Sequence, residues 1–218
     1  MIKDNLQKIL SEIPKHVQLI AVSKTKPIND ILQAYEIGHR HFGENKVQEL
    51  NLKQAQLPSD IYWHMIGHLQ TNKVKYIAPY VHLIHGVDSL KLLKEINKQA
   101  KKNNRTINCL LQFHIASESS KFGLSLAEAR NILKDESSND FSNICLKGVM
   151  GMASFTTDQN TIDKEFSELK SIFDSIKEIV TNKASFDCIS MGMSGDYKIA
   201  IKNGSSMIRI GSTIFGNR

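Results

Sequence analysis

The sequence predicts an α/β fold, a single (β/α)8 TIM barrel, and three observations predict it. Short aliphatic runs alternate with helix-period segments from end to end, the pattern of parallel strands joined by helical crossovers. Eight such runs fit into 218 residues, a density that suits a closed barrel better than an open sheet. No linker and no shift of composition divides the chain, so residues 1–218 are expected to form one domain.

An extra helix opens the chain at about Asp4–Ile13, with Leu6, Ile9 and Leu10 on one face. Val17–Val22 (VQLIAV) is rich in aliphatics and is expected to be a buried first strand. Pro27 suits the start of the next helix, Ile31, Leu32, Tyr35 and Ile37 give it an apolar face, and Gly38 ends it. His39–Gly43 is the expected second strand and Lys46–Gln54 its helix; Ile61–Gly67 is the third, with a helix from about Asn72. Val81–Val87 is the fourth, and Ser89 caps a helix carrying Leu90, Leu92, Leu93 and Ile96. Ile107–Ile115 is the fifth, followed by a helix over Ser125–Leu133. Cys145–Met152 is the sixth, and the helix after it, Thr161–Val180, has the cleanest stripe: Ile162, Phe166, Leu169, Ile172, Phe173, Ile176 and Ile179. Phe186–Met191 is the seventh, Tyr197–Lys202 a short helix closed by Gly204, and Met207–Ile210 the eighth. The last strand is expected to lack its helix, and the opening helix to take that place against the barrel.

Hydrophobic residues make up 41% and charged residues 23%, ordinary for a soluble globular chain whose length buries enough core to need no disulfide or metal. Cys109, Cys145 and Cys188 lie far apart without a CxxC pair, which argues for free thiols in a reducing cytoplasm. No apolar run approaches the ~20 residues that span a bilayer. The N-terminus, MIKDNLQKILSEIPKH, is too interrupted by charge to be a secretory signal. The net charge of +6 raises the question of nucleic acid. Its densest cluster, Lys98, Lys101, Lys102 and Arg105, ends a helix, where cations oppose the negative end of the dipole. Neither a nucleic acid nor a membrane is therefore expected as partner, and an interior that holds an anionic ligand is one outlet for the charge.

In a barrel of this kind chemistry sits at the C-terminal ends of the strands. Lys24 ends strand one inside the barrel mouth, where lost solvation lowers an ammonium pKa from about 10.4 towards neutrality and frees the amine for a Schiff base. A snorkelling or salt-bridged lysine fits the same position, and spacing alone does not choose between Lys24 and Lys26. Ser194-Gly195 and Gly211-Ser212, after strands seven and eight, pair hydroxyls with closely approachable backbone, a chemistry that cradles phosphate, although tight turns use the same residues. Period two puts Arg209 on the side of Gly211, inside the barrel, where it needs a ligand atom or a buried carboxylate. The histidines invite a metal reading, but the spacing of His64 and His68 does not bring two rings to one point on a strand, so no metal is expected. His39 and His41 share a face of strand two, and His82 and His85 flank strand four.

AVSKTKP (21–27), FGENKVQE (42–49), WHMIGHLQTNK (63–73), SKFG (120–123), GVMGMA (148–153), SMGMSGD (190–196) and IRIGSTIFG (208–216) together resemble the pyridoxal phosphate homeostasis protein family, also called the YggS/PROSC family. The resemblance runs in order over nearly the whole chain. It implies a barrel similar to the N-terminal domain of alanine racemase, binding pyridoxal 5'-phosphate (PLP) as an internal aldimine on Lys24. It further implies Ser194, Gly211 and Ser212 at the phosphate, Arg209 at the pyridine nitrogen, Asn45 close to the ring, Met191 lining the pocket and Lys121 near the mouth as a second contact. Two positions depart from the family pattern: Gly195 stands where an acidic residue is common, which puts the loop conformation in question, and Ser212 where Thr is common. An arginine at the ring nitrogen weakens the ring as an electron sink, and the second base of a racemase belongs to an added β-domain that is not expected here. The family therefore implies a PLP carrier that keeps vitamin B6 and amino-acid and keto-acid pools in balance and hands PLP to apoenzymes; a barrel without an added domain is expected to be a monomer, and the free thiols point to the cytoplasm. The alternatives are a weak PLP-dependent racemase or lyase, and a PLP-free aldolase built on Lys24.

Overall fold

The structure, a computed structural model, describes residues 1–117, 122–134, 141–180 and 183–216. Eight strands form it: β1 (Gln18–Val22), β2 (His41–Glu44), β3 (Tyr62–Met65), β4 (Leu83–Val87), β5 (Ile107–Gln112), β6 (Ile144–Met150), β7 (Cys188–Ser190) and β8 (Met207–Ile210). They close into a barrel in sequence order, each pairing parallel with the next. Closure comes from β1 against β8, with Ile20 opposite Arg209 and Ala21 opposite Ile210.

Helices α1 (Ile2–Glu12), α2 (Ile28–Glu36), α3 (Val47–Gln54), α4 (Val74–Ile77), α5 (Leu90–Lys102), α6 (Leu126–Lys134), α7 (Gln159–Lys177), α8 (Tyr197–Lys202) and α9 (Ser212–Phe215) surround the sheet. The Ser89 hydroxyl caps α5 by accepting from Leu92 N–H at 3.3 Å. The α7 stripe buries Ile162 through Ile176 as its period requires, but Ile179 lies past the helix end and is exposed. One expectation changes. A single turn, α9, follows β8 where no helix was expected. The opening helix lies beside it, its Asn5 side chain donating to Ile214 O at 3.1 Å, with Leu6 and Ile9 buried.

Parallel strands in this fold are buried on both sides. One set of side chains, including Leu19, Phe42, Trp63, Ile84, Val149, Ile189 and Ile208, belongs to the main core under the helices. A separate small cluster, Leu83, Leu110, Met150 and Cys188 with Met152 and Met207 against it, marks the lumen. Between these apolar lumen residues the chain places an unusual number of buried polar groups, among them His64, His85, Gln112, Ser190 and Arg209. Gly148 is where β6 meets β7 most closely: its φ is +153° and a Cβ there would collide with Cys188 O.

Candidate functional site

The β1–α2 turn presents Lys24. Lys26 N–H donates to Ser23 O at 3.0 Å, which closes a reverse turn whose third residue, Thr25, has φ +64°. A β-branched residue there is strained and persists only when the surroundings hold it. They do: Thr25 N–H donates to Glu49 Oε1 at 2.5 Å, and Lys53 Nζ donates to Ser23 O at 2.7 Å. The same ammonium pairs with Glu44 at 2.8 Å and Glu49 at 2.7 Å, and the Ser23 hydroxyl donates to Glu44 Oε1 at 2.5 Å. Burial pushes the Glu44 carboxyl up, while Lys53 and Ser23 pull it back. Lys24 itself is half-buried. Lys26 points elsewhere: its ammonium donates to Phe215 O and Gly216 O at 3.1 and 3.0 Å, at the end of α9.

Arg209 is 4% exposed and lies in the lumen. Its guanidinium donates to Ser190 Oγ at 2.6 Å and to Gly151 O at 3.0 Å. Both acceptors are neutral, and burial pulls the guanidinium down to about 10, still charged at neutral pH. The carboxylate partner that the sequence left open is not among its hydrogen-bonded partners in the described residues. Ser190 continues the contact inward: His85 Nδ1 is 3.0 Å from its hydroxyl, His85 Nε2 is 3.0 Å from His64 Nδ1, and His64 Nε2 is 3.0 Å from His41 Nδ1. Burial holds all three imidazoles below the usual histidine range, His41 at about 4, so they are neutral at pH 7.

The loops after β7 and β8 meet. Gly211 N–H donates to the Ser194 hydroxyl at 3.3 Å. Asp196 ties the first loop by accepting from Met193 N–H at 2.5 Å. Gly192 has φ +97°, and a Cβ would stand 2.6 Å from Ala200 Cβ, so this turn needs glycine. A Cβ on Gly211 would press Val22 Cβ at 3.3 Å, which seats the β8 turn against the end of β1. Gly195 has open space around it and no left-handed φ, so the departure from an acidic residue leaves the loop backbone unstrained. Ser212 and Thr213 are exposed at the start of α9, where first-turn N–H groups have no intrahelical partner. Two hydroxyls and backbone N–H groups thus converge at one edge of the mouth, a donor set that suits phosphate.

Asn45 is half-buried at the end of β2, and Gly67 packs so closely on its backbone that a Cβ would collide with it. Met191 differs from its expected place. Ser190 takes the lumen position, and Met191, next in the chain and fully buried, belongs to the core cluster under the helices, so it backs the mouth and does not line it. Lys121 lies outside the described residues. Local reading missed Ser190, Lys53 and the stacking of His41, His64 and His85, because each contact crosses strands or joins a strand to a helix. His68 pairs with Asp88 at 3.2 Å and stacks on Phe122, apart from His64.

The profile of the alanine racemase N-terminal domain family matches residues 1–218. The pyridoxal phosphate homeostasis protein of Pasteurella multocida is 37% identical over 223 residues, covering all of this chain and 94% of that protein. The PipY protein of Synechococcus elongatus, solved without PLP, superposes with a TM-score of 0.93 at 32% identity over 99% of this chain and 100% of its own. The same protein solved with PLP bound gives 0.90. An alanine racemase of Clostridium difficile shares the fold, with a TM-score of 0.76 at 13% identity; all of this chain matches 56% of it.

Proposed function

Because the chain belongs to the pyridoxal phosphate homeostasis protein family, within the wider alanine racemase N-terminal domain family, we propose that it binds PLP at the C-terminal mouth of the barrel and buffers or delivers it. One observation carries this reading: Arg209 is a lumen guanidinium whose described hydrogen-bond acceptors, Ser190 Oγ and Gly151 O, are both neutral. A guanidinium has donors only, so it suits an unprotonated pyridine nitrogen, which makes the ring a poor electron sink. That supports holding the cofactor and not turning over a substrate. The residues fit the group along its length. Lys24, on its clamped turn, offers the amine. Ser194, Gly211 and Ser212 offer the phosphate donors, and Asn45 stands beside the ring.

Bound PLP supplies an aldehyde that condenses reversibly with an amine. Lys24 would hold the group through that amine, reversibly, so that water could release it. This reversibility is what a carrier needs, and PLP-dependent apoenzymes are the acceptors. No helix among the described residues is long and apolar enough to cross a membrane. We place the protein in the cytoplasm, as a monomer, with Cys109 and Cys188 as buried free thiols.

The test is borohydride reduction of the PLP-loaded protein followed by peptide mapping. A pyridoxyl group on Lys24 is the expected result. A colourless protein that takes up no added PLP overturns the binding, and a label on Lys26 or Lys121 moves the attachment. Incubation with amino acids in deuterated water separates carrier from enzyme: no saturable exchange at the α-carbon is expected.

A further inference from the structure

Behind the mouth, the barrel layer that this fold usually fills with branched aliphatics holds imidazoles. His41 of β2, His64 of β3 and His82, just before β4, each offer one ring nitrogen, and the three atoms lie within 4.8 Å of one another. His41 Nδ1 and His64 Nε2 are already 3.0 Å apart. The His82 ring nitrogens hydrogen-bond to no described residue; the ring instead packs on Tyr62 and His64, with centroids 4.7 and 5.3 Å away. His64 is wholly buried, while His41 and His82 are half-buried. The cluster therefore opens at the N-terminal end of the barrel, opposite Lys24 and the phosphate-suited loops.

We propose that His41, His64 and His82 bind one zinc-class divalent transition-metal ion at the N-terminal end of the barrel. Three imidazole nitrogens with a fourth position left open is a ligand count that zinc accepts. A set of imidazoles without carboxylates selects zinc, nickel or copper over magnesium or calcium. Zn–N bonds of about 2.0–2.1 Å need nitrogens a little over 3 Å apart, so His41 and His64 are near position and half-exposed His82 closes in. The second shell is built. A ligating histidine usually donates its other ring N–H to a fixed acceptor, and His64 Nδ1 faces His85 Nε2 at 3.0 Å, with Ser190 behind His85. An ion on His64 Nε2 leaves that proton on Nδ1, pointed at His85. Arg105, whose guanidinium donates to Ala78 O and Val81 O at 2.6 and 2.8 Å, adds positive charge on the His82 side. Lys147 does the same. That charge opposes a bare cation beside His82, and an anion, hydroxide or chloride, as the fourth ligand offsets it.

The experiment titrates Zn2+ and Co2+ into tag-free, chelator-treated, full-length protein without added PLP, by calorimetry and visible absorbance. The expected result is saturable uptake of one ion per chain. The Co2+ spectrum should carry tetrahedral d–d bands and no sulfur-to-metal charge transfer. His82→Ala and His41→Ala should each weaken binding by at least about tenfold. His82→Ala, at a half-exposed position, should leave thermal unfolding of the metal-free protein unchanged. No saturable uptake overturns the site. Uptake undiminished in both variants also overturns it and moves the ion to a thiol or the amino terminus. Because PLP is absent from the assay, failure here leaves the PLP reading standing.

Discussion

At the scale of single residues, Lys53 holds the β1–α2 turn in place. Its ammonium joins Glu44, Glu49 and the carbonyl of Ser23, and Glu44 is fully buried. Removing one partner of a buried pair leaves an uncompensated charge, which costs about 3–5 kcal/mol. Lys53→Met should lower stability by about that much in urea unfolding, and Lys53→Met with Glu44→Gln should recover part of it. At matched folded fraction, Lys53→Met should also take up PLP more slowly, because Thr25 is no longer forced to φ +64°; unchanged uptake would make the clamp purely structural. Arg209 is the second such residue. Arg209→Leu removes a charge-assisted donor worth roughly 1.5–3 kcal/mol, so PLP affinity in a fluorescence titration should fall about ten- to hundredfold. Unaltered affinity and an unaltered visible spectrum would remove Arg209 from the ring.

At the scale of elements, the glycines of the β7–α8 loop are not equivalent. Gly192 has φ +97° and a neighbour 2.6 Å from any Cβ, whereas Gly195 has neither constraint. Gly192→Ala should destabilise by more than about 1 kcal/mol and weaken PLP binding by displacing Ser194. Gly195→Asp should fold within about 0.5 kcal/mol of the parent. Equal unfolding midpoints for the two variants would contradict this difference. The barrel was legible in the sequence because β-α alternation is a local signal: every expected strand overlaps an observed one, with ends differing by at most three residues, and Met207–Ile210 matches at both ends. The single turn α9 was not legible, since Ser212–Phe215 is too short to show a helical period. Ser194 and Gly211, in the loops after β7 and β8, and Arg209, within β8, were singled out from their positions near strand ends, and their part in holding PLP stands as a proposal. Met191 was misplaced because a motif does not state which side of the strand each residue takes. The imidazole file was hidden for a related reason: His41, His64 and His85 are 23 and 21 residues apart, and only the pairing of β2, β3 and β4 stacks them.

At the scale of the whole molecule, the lumen carries a titration that decides where the fold survives. Burial is the first cause that lowers His39, His41, His64, His82 and His85. Above about pH 6.5 folded and unfolded chains hold these rings neutral alike, and they cost nothing. Below it the unfolded chain takes up protons that the folded chain refuses, so stability falls as pH falls, for His41 down to about 4. Each histidine contributes up to about 1.4 kcal/mol per pH unit, nearly in full for the wholly buried His64 and His85 and less for the half-exposed rings. Several together approach the roughly 5–15 kcal/mol that hold a domain folded. Chelator-treated, PLP-free protein should therefore lose several kcal/mol between pH 7.5 and 5.5 in urea unfolding, before most carboxylates titrate. His85→Gln keeps a hydrogen-bonding side chain without a titrating ring, and it should flatten that slope by about one histidine's share. A stability profile that is level from pH 7.5 to 5.5 in the parent would mean that these rings accept protons in the folded barrel, and that their burial is not what sets their charge.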